Sequence, residues 1–112
     1  MHLPNNAVLQ IEEAKLRNYL LSESHPTGRA KARFFESFGF SIGQWSELRD
    51  ALIEHIRSNP VVYSEDTGFG RKYIVDGELY TPDGREPRVR AVWFVRSEES
   101  QLRFVTAYPL KE

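Results

Sequence analysis

One histidine stands in a segment that is suited to proton transfer. His25 lies within Ser24-His25-Pro26-Thr27-Gly28, where proline and glycine predict a turn. Arg29 and Lys31 follow closely, and nearby positive charge lowers the pKa of an imidazole, so that a neutral ring is present near pH 7. A neutral imidazole is a suitable general base. On position alone, the alternative is a turn histidine that hydrogen-bonds a backbone carbonyl.

Other kinds of catalytic site find little support in the residue types. His2 lies in a loose leading segment, and His55 is predicted at the exposed or boundary face of a helix. Cysteine is absent, which removes thiol catalysis and thiolate zinc sites, and no Gly-x-Ser-x-Gly elbow occurs. The carboxylates that a metal site would use lie in loops and turns without metal-ligand spacing: Glu65, Asp66, Asp76 and Glu78. We therefore predict neither a metal nor a cofactor.

Helical periodicity dominates the first half of the chain. Apolar spacing predicts a short helix from Glu13 to about Ser22 and a second from about Arg29 to Phe38, which Gly39 ends. A third is predicted to open at Ser41 with a capping box to Gln44 and to end at Asn59-Pro60. Four strand-like runs follow: Val61 to Tyr63, Arg71 to Tyr80, Val89 to Arg96 and Leu102 to Tyr108.

This order of elements predicts an α+β fold in one domain over residues 1–112. The helical part covers about residues 12–59 and the sheet part about residues 61–109. Short polar connections indicate an antiparallel meander of three to four strands, with two to three N-terminal helices packed on one of its faces. Residues 7–11 are a candidate for one further short extended piece.

Strand alternation predicts which residues face away from the helices. Val89, Ala91, Trp93 and Val95 form an apolar set for the core, which turns Arg88, Arg90 and Phe94 outward. On the last strand, Val105 and Ala107 are predicted in the core, and Phe104, Thr106 and Tyr108 on the arginine face. On the second strand, the choice between Lys72 with Ile74 and Arg71 with Tyr73 stays open.

Arginines interleaved with aromatic rings suit single-stranded RNA, because guanidinium groups pair with phosphates and rings stack on bases. The alternative is that these arginines serve solubility and pair across strands with Glu78 and Glu86. Of the 15 cations in the chain 11 are arginine, which favours geometric recognition of phosphate or carboxylate. Over 112 residues the net charge is −1, so any nucleic-acid surface must be local. The apolar runs are too short to cross a membrane, and we predict a cytoplasmic location.

Several strings of residues together resemble a bacterial domain family. The most specific is His25-Pro26-Thr27-Gly28-Arg29 with Lys31-Ala32 and Phe34-Phe35, and the second is the closing Phe104-Val105-Thr106-Ala107-Tyr108-Pro109. The others are Lys15-Leu16, Tyr19-Leu20-Leu21, Gly39-Phe40, and Gly68-Phe69-Gly70 with Lys72-Tyr73. The family is an uncharacterised domain that occurs as small standalone proteins and at the C-termini of large polymorphic, contact-dependent toxins. A looser architectural similarity is to the barnase, EndoU, colicin and RelE group of metal-independent ribonucleases. The resemblance implies a toxin-associated domain with a cognate immunity or antitoxin partner and an RNA substrate, with tRNA as one candidate.

Cleavage of that kind needs a base for the RNA 2′-hydroxyl, cations for the phosphate and an acid for the leaving oxygen. His25 fits the role of base or acid. Lys31 and Lys72 are the predicted phosphate ligands, and Thr106 and Tyr108 would orient the phosphate by hydroxyl hydrogen bonds. The predicted substrate-binding residues are Arg29, Arg88, Arg90 and Phe94. The alternative is a non-catalytic protein-interaction module of a toxin and immunity or toxin and antitoxin system, for which His25 would be dispensable.

Overall fold

The computed structural model describes residues 8–22, 24 and 28–110 and has the α+β fold that the order of elements predicts. The helices are α1 (Glu13–Lys15), which continues into a π-helical turn (Leu16–Leu20), α2 (Arg29–Ser37) and α3 (Trp45–Ser58). The strands are β1 (Val8–Gln10), β2 (Val61–Asp66), β3 (Gly70–Glu78), β4 (Arg88–Arg96) and β5 (Gln101–Pro109). In the described part of the chain, no helix is long and apolar enough to cross a membrane.

The sheet has one strand more than the upper limit of the predicted meander. Its order is β1-β5-β4-β3-β2, and the last four strands in the chain are antiparallel neighbours as expected. The additional strand β1 pairs in parallel with β5, through Leu9 opposite Leu102. The sheet is therefore mixed. A three-residue strand carries too little pattern to reveal its partner or its direction.

The helices cover one face of the sheet. Leu48, Leu52 and Ile56 of α3 are buried against Val75 of β3 and Trp93 of β4, in a core that also holds Leu16 and Leu20. The burial of Val75 settles the open choice on β3, because it turns Lys72 and Ile74 to the opposite face by strand alternation. Apolar burial on this scale is the main force that fixes the helices on the sheet.

The predicted face pattern of β5 is wrong for two residues. Phe104 is buried in edge-on contact with Trp93, whereas Val105 is 36% exposed. The cause is a register shift opposite Val92 and Trp93, where β5 carries one residue more than β4. Beyond this bulge Ala107 is buried as predicted, and Tyr108 lies opposite Arg90.

The predicted helix from Glu13 is present, but only α1 is α-helical and the rest is the π-helical turn, in which the Leu21 amide donates to the Leu16 carbonyl at 2.8 Å. The predicted capping box at Ser41 is wrong. Ser41 makes no side-chain cap, and a 3₁₀ turn over Ile42–Gln44 leads into α3 in place of the capping box. In the 3₁₀ turn the backbone itself provides the bond, since the Gln44 amide donates to the Ser41 carbonyl at 3.1 Å.

Candidate functional site

A glycine allows α2 to lie directly against the π-helical turn. A Cβ atom on Gly28 would stand 2.3 Å from the carbonyl oxygen of Tyr19, closer than any side chain tolerates. The Gly28 carbonyl accepts from the Ala32 amide at 2.8 Å and so begins α2 at this contact. The glycine that the sequence assigns to a turn thus also sets the distance between two helical segments.

Lys31 of α2 reaches across this contact to Tyr19. Its ammonium donates to the Tyr19 hydroxyl at 2.6 Å and lies 5.0 Å from the centre of the ring. Both side chains are half-buried. The ammonium has three protons, so one hydrogen bond to Tyr19 leaves two for an anion.

Thr106 of β5 completes the group, which we call the Tyr19 cluster (Tyr19, Lys31 and Thr106). Its hydroxyl lies beside Tyr19 and contributes to the electrostatics of the phenol. The Thr106 oxygen is nevertheless fully buried and has no hydrogen-bond partner of good geometry among the described residues. We therefore treat the Thr106 and Tyr19 pair as a close contact and not as a hydrogen bond.

The surroundings of Tyr19 make its phenol more acidic. Burial alone would raise its pKa, but the hydrogen bond from Lys31, the neighbouring Thr106 and the charges of Lys31 and Lys15 together hold the pKa below the usual value of 10. Tyr19 also lines an open cleft of about 330 Å³ with Glu12, Ala14 and Lys15. Tyr19 is therefore polarised by its charged neighbours and also lines an open cleft.

Sequence analysis did not select Tyr19 as a candidate site residue. It stands in the apolar series Leu16, Leu20 and Leu21, and helical spacing assigns it to packing. The π-helical turn changes that outcome, because an extra residue per turn lets all three leucines be buried around Tyr19. Such turns occur frequently at functional sites, but they have no sequence pattern of their own.

A second polar group lies on the sheet face away from the helices, which we call the Arg90 row (Asp76, Arg90 and Tyr108). These three residues are aligned across β3, β4 and β5. Arg90 binds Asp76 in a two-pronged ion pair, with both N···O distances 2.8 Å. The hydrogen bonds to Asp76, with the neighbouring Tyr108, raise the pKa of Arg90 above its usual value. The predicted partners of the arginines, Glu78 and Glu86, are not the partners of Arg90.

The other predicted site residues are distributed around these two groups. Lys72 lies on β3, separated from Thr106 by strand β4 and thus by about 10 Å across the sheet. Its ammonium is 3.9 Å from Glu65, and it is opposite Phe94 in register. Arg29 is exposed at the first position of α2, and Arg88 is exposed opposite Glu78. His25 lies outside the described residues.

The carboxylates considered for a metal site are used in other ways. Asp76 binds Arg90, Asp66 binds Arg71 at 2.9 Å, and Glu65 accepts from the Tyr63 hydroxyl at 3.1 Å besides facing Lys72. Each of these carboxylates contacts a donor that would have to be displaced by a cation.

The predicted exposure of His55 is wrong, because the residue is only 2% exposed. Its Nε2 lies 2.9 Å from the Val89 carbonyl and 3.2 Å from the Gly77 carbonyl, so this nitrogen carries the proton. Burial lowers the pKa of His55, against the two carbonyl contacts and Asp76, which raise it. His55 thus packs as a neutral ring between α3 and the sheet.

Comparison with solved structures shows that the fold occurs in another protein. A chain of the contact-dependent growth inhibition toxin - immunity protein complex from Klebsiella pneumoniae 342 has a similar fold, with a TM-score of 0.70. The match has 18% sequence identity and covers 89% of this chain and 98% of that chain. No curated protein matches the sequence. The model of a family described as a domain of unknown function, DUF6883, matches residues 2–111. Because that match spans nearly the whole sequence, the chain belongs to the DUF6883 family.

Proposed function

We propose that the domain is a toxin-associated endoribonuclease that cleaves RNA phosphodiesters without a metal ion. The observation that carries the proposal is the Tyr19 cluster, in which Lys31 donates to Tyr19 beside Thr106. Lys31 and Thr106 are two of the residues that sequence analysis selects for catalysis, and they are 75 positions apart. The cluster brings together a cation, a phenol and a hydroxyl, and its Tyr19 lines an open cleft.

The residues have the following roles in this proposal. Lys31 binds the scissile phosphate with the two protons that it does not give to Tyr19, and Thr106 orients that phosphate. His25, three positions before Gly28 in the sequence, takes the proton from the 2′-hydroxyl. Tyr108 and Lys72 contact the phosphates that flank the scissile one. Further along the RNA the proposed contacts are Arg29, Arg88 and Phe94. Arg90, which the sequence also suggests, is left out because its guanidinium is paired with Asp76.

The association with a toxin system rests on likeness of fold. The similar chain belongs to a complex between a growth inhibition toxin and its immunity protein. A small domain with the same fold fits such a system, in which the toxin acts on a target and a cognate protein blocks it. We propose a cognate immunity or antitoxin protein as the partner of this domain, and the cytoplasm as the place where it meets RNA.

Incubation with RNA tests the proposed activity directly. The purified protein is mixed with total bacterial RNA and with tRNA, once in EDTA and once with magnesium, and the fragments are separated on a gel. We expect discrete fragments in EDTA, and at least about a 100-fold slower cleavage by Lys31→Met. Arg57→Met is the matched control, because Arg57 is an exposed cation on α3 outside the cluster. Absence of cleavage in both buffers by folded protein would refute the ribonuclease.

A non-catalytic interaction module is the second candidate, and the free edge of the sheet favours it. Strand β2 is the last strand on its side, and Val62 and Tyr63 on it are 52% and 51% exposed. Phe69, in the hairpin that follows, is 82% exposed. Exposed apolar side chains on a strand at the edge of the described sheet suit a protein partner that adds a strand. In that case double substitution of His25 and Thr106 by alanine would leave the biological effect of the domain unchanged.

A further inference from the structure

We infer that the end of the sheet around Gly70 binds unpaired bases of a single-stranded RNA, on one side of the proposed cleavage site. The inference rests on the proposed function and adds to it a substrate class and two residues, Phe69 and Arg96. We call the site the Gly70 platform (Phe69, Phe94 and Arg96). It gives a role to the Gly68-Phe69-Gly70 string, which the proposed catalysis does not use.

Phe69 is an aromatic residue that the fold holds at the surface, where it is 82% exposed. Its amide donates to the Thr67 hydroxyl at 3.3 Å, and its carbonyl accepts from the Ser97 amide at 2.9 Å. Gly68 before it has a φ of 89°, a conformation that residues with a side chain rarely adopt. Because the backbone of Phe69 is already fixed, stacking of a base on its ring costs little further conformational entropy.

Gly70 brings the other two members of the platform next to Phe69. A Cβ atom on Gly70 would stand 2.8 Å from the Cζ atom of Phe94 and 2.8 Å from the Cα atom of Arg96, closer than a side chain tolerates. The half-buried Phe94 therefore reaches over Gly70, and Arg96 lies directly opposite Gly70 in register. Two aromatic residues and an arginine thus lie around one glycine.

The charges at this end of the sheet leave one cation for a phosphate. Arg96 and Arg71 line a cleft of about 320 Å³ together with Asp66. Asp66 binds Arg71 at 2.9 Å, whereas no carboxylate of the described residues pairs with the exposed Arg96. Glu98 and Glu99, in the turn that follows β4, do not line the cleft. An arginine without a carboxylate partner, beside aromatic rings, suits the phosphate and the base of a nucleotide.

The platform continues the proposed site along β4. Thr106 lies opposite Val92, and Phe94 and Arg96 follow on the same face of the strand, two and four residues further on. At about 3.3 Å per residue, they lie about 7 and about 13 Å from Val92. An RNA that leaves the Tyr19 cluster in this direction therefore meets Phe94 first and Arg96 next. Duplex RNA keeps its bases stacked inside the helix, so the substrate that fits these rings is a single strand or a loop.

Binding of an RNA analogue that is not cleaved tests the platform separately from the proposed activity. The probe is a fluorescein-labelled, single-stranded 2′-O-methyl RNA of about eight nucleotides, which lacks the 2′-hydroxyl that the proposed reaction needs. Its anisotropy is measured in EDTA, with the same probe in duplex form for comparison. We expect the duplex to bind more weakly, and Phe69→Ala to weaken binding of the single strand at least about fivefold. Tyr80→Ala is the matched control and should change binding less than about twofold, because Tyr80 is 57% exposed but lies beyond the opposite end of β3.

Arg96→Met tests the phosphate contact through its salt dependence. Each phosphate that a protein neutralises on a single strand contributes about 0.7 to the slope of log affinity against log salt concentration. We expect Arg96→Met to reduce this slope by about 0.7, and Phe69→Ala to leave it unchanged because stacking releases no counterions. Arg57→Met, which removes an exposed cation of α3, should also leave it unchanged. Phe94 is left in place, because its ring also packs on Gly70.

Circular dichroism of each variant verifies that it is folded. Equal binding of the single strand by the parent and by Phe69→Ala would overturn the platform and leave Phe69 to the protein partner of the second candidate function. A duplex that binds as tightly as the single strand would also overturn it, and an unchanged salt slope in Arg96→Met would overturn the phosphate contact. Cleavage of tRNA by the parent is measured separately. Binding that depends on Phe69 without cleavage would refute the ribonuclease and keep the platform, whereas cleavage without such binding would refute the platform alone.

Discussion

The Tyr19 cluster and the Arg90 row each contain a cationic side chain, but its hydrogen-bond partner is neutral in the cluster and charged in the row. Arg90 faces the carboxylate of Asp76 with two hydrogen bonds of 2.8 Å, so its charge is neutralised inside the protein. Lys31 donates to the phenol of Tyr19, a neutral group, and among the described residues no carboxylate pairs with its ammonium. A charge that is matched within the fold serves mainly the fold, and an unmatched one is available to an anion.

The two sites also differ in how they affect the stability of the folded protein. The Asp76 side chain is only 14% exposed, and its pairing with Arg90 offsets the loss of hydration. In the Tyr19 cluster, the Thr106 hydroxyl is buried without a partner of good geometry, which is unfavourable for stability. Unsatisfied polar groups are tolerated where function needs them, which agrees with the proposal that chemistry occurs at the cluster and not at the row.

Gly28→Ala is the strongest way to break the cluster. The added Cβ would lie 2.3 Å from the Tyr19 carbonyl oxygen, so α2 must move away and Lys31 with it. We expect a loss of about 3 kcal/mol in the free energy of unfolding, measured by urea denaturation, and loss of cleavage. Gly43→Ala is the control, because a Cβ at Gly43 meets nothing within 4 Å, and it should change stability by less than about 1 kcal/mol. Equal effects at the two glycines would contradict the close contact.

Arg90→Met removes the ion pair of the Arg90 row. It leaves Asp76 without its cation in a poorly hydrated position, and we expect a loss of about 2 kcal/mol in the free energy of unfolding. Arg71→Met is the matched control, because its partner Asp66 is 74% exposed, and it should cost less than about 1 kcal/mol. Denaturation followed by the fluorescence of the buried Trp93 measures both. If the Arg90 variant were as stable as the Arg71 variant, the row would not be structural.

The two regions also differ in how much the sequence reveals of them. Strand alternation predicts Arg90 and Tyr108 on one face, because side chains alternate between the two faces along β4 and along β5 beyond its bulge. The partner Asp76 depends on register between strands, which one sequence does not contain. The Tyr19 cluster depends on a π-helical turn and on the approach at Gly28, and neither has a periodic signal. Lys31 and Thr106 are candidates by analogy with the ribonuclease group, and Tyr19 belongs to the strings that carry the family resemblance but receives no role from them.

His55 makes the free energy of unfolding depend on pH. Burial holds its folded pKa below 6.5, so the unfolded chain binds more protons as the pH falls, and stability is lost below pH 6.5. The slope from this residue should approach about 1.4 kcal/mol per pH unit between the two pKa values. Denaturation at pH 7.5, 6 and 5 measures it. His55→Gln should flatten the slope between pH 7.5 and pH 6. An unchanged slope would show that His55 is not the group responsible.

Thr106→Val has the smallest expected effect on stability and makes the sharpest distinction within the cluster. The substitution keeps the shape and removes a buried hydroxyl that lacks a partner of good geometry, so the free energy of unfolding should stay within about 0.5 kcal/mol of the parent or rise. The comparison is Thr67→Val, since the Thr67 hydroxyl contacts the Gly70 carbonyl at 3.2 Å and the Phe69 amide at 3.3 Å and should cost about 1 kcal/mol. A loss at Thr106 as large as that at Thr67 would mean that its hydroxyl is bonded in the folded protein. A stable Thr106→Val variant with slowed cleavage would instead assign the hydroxyl to the substrate, as the proposed reaction requires.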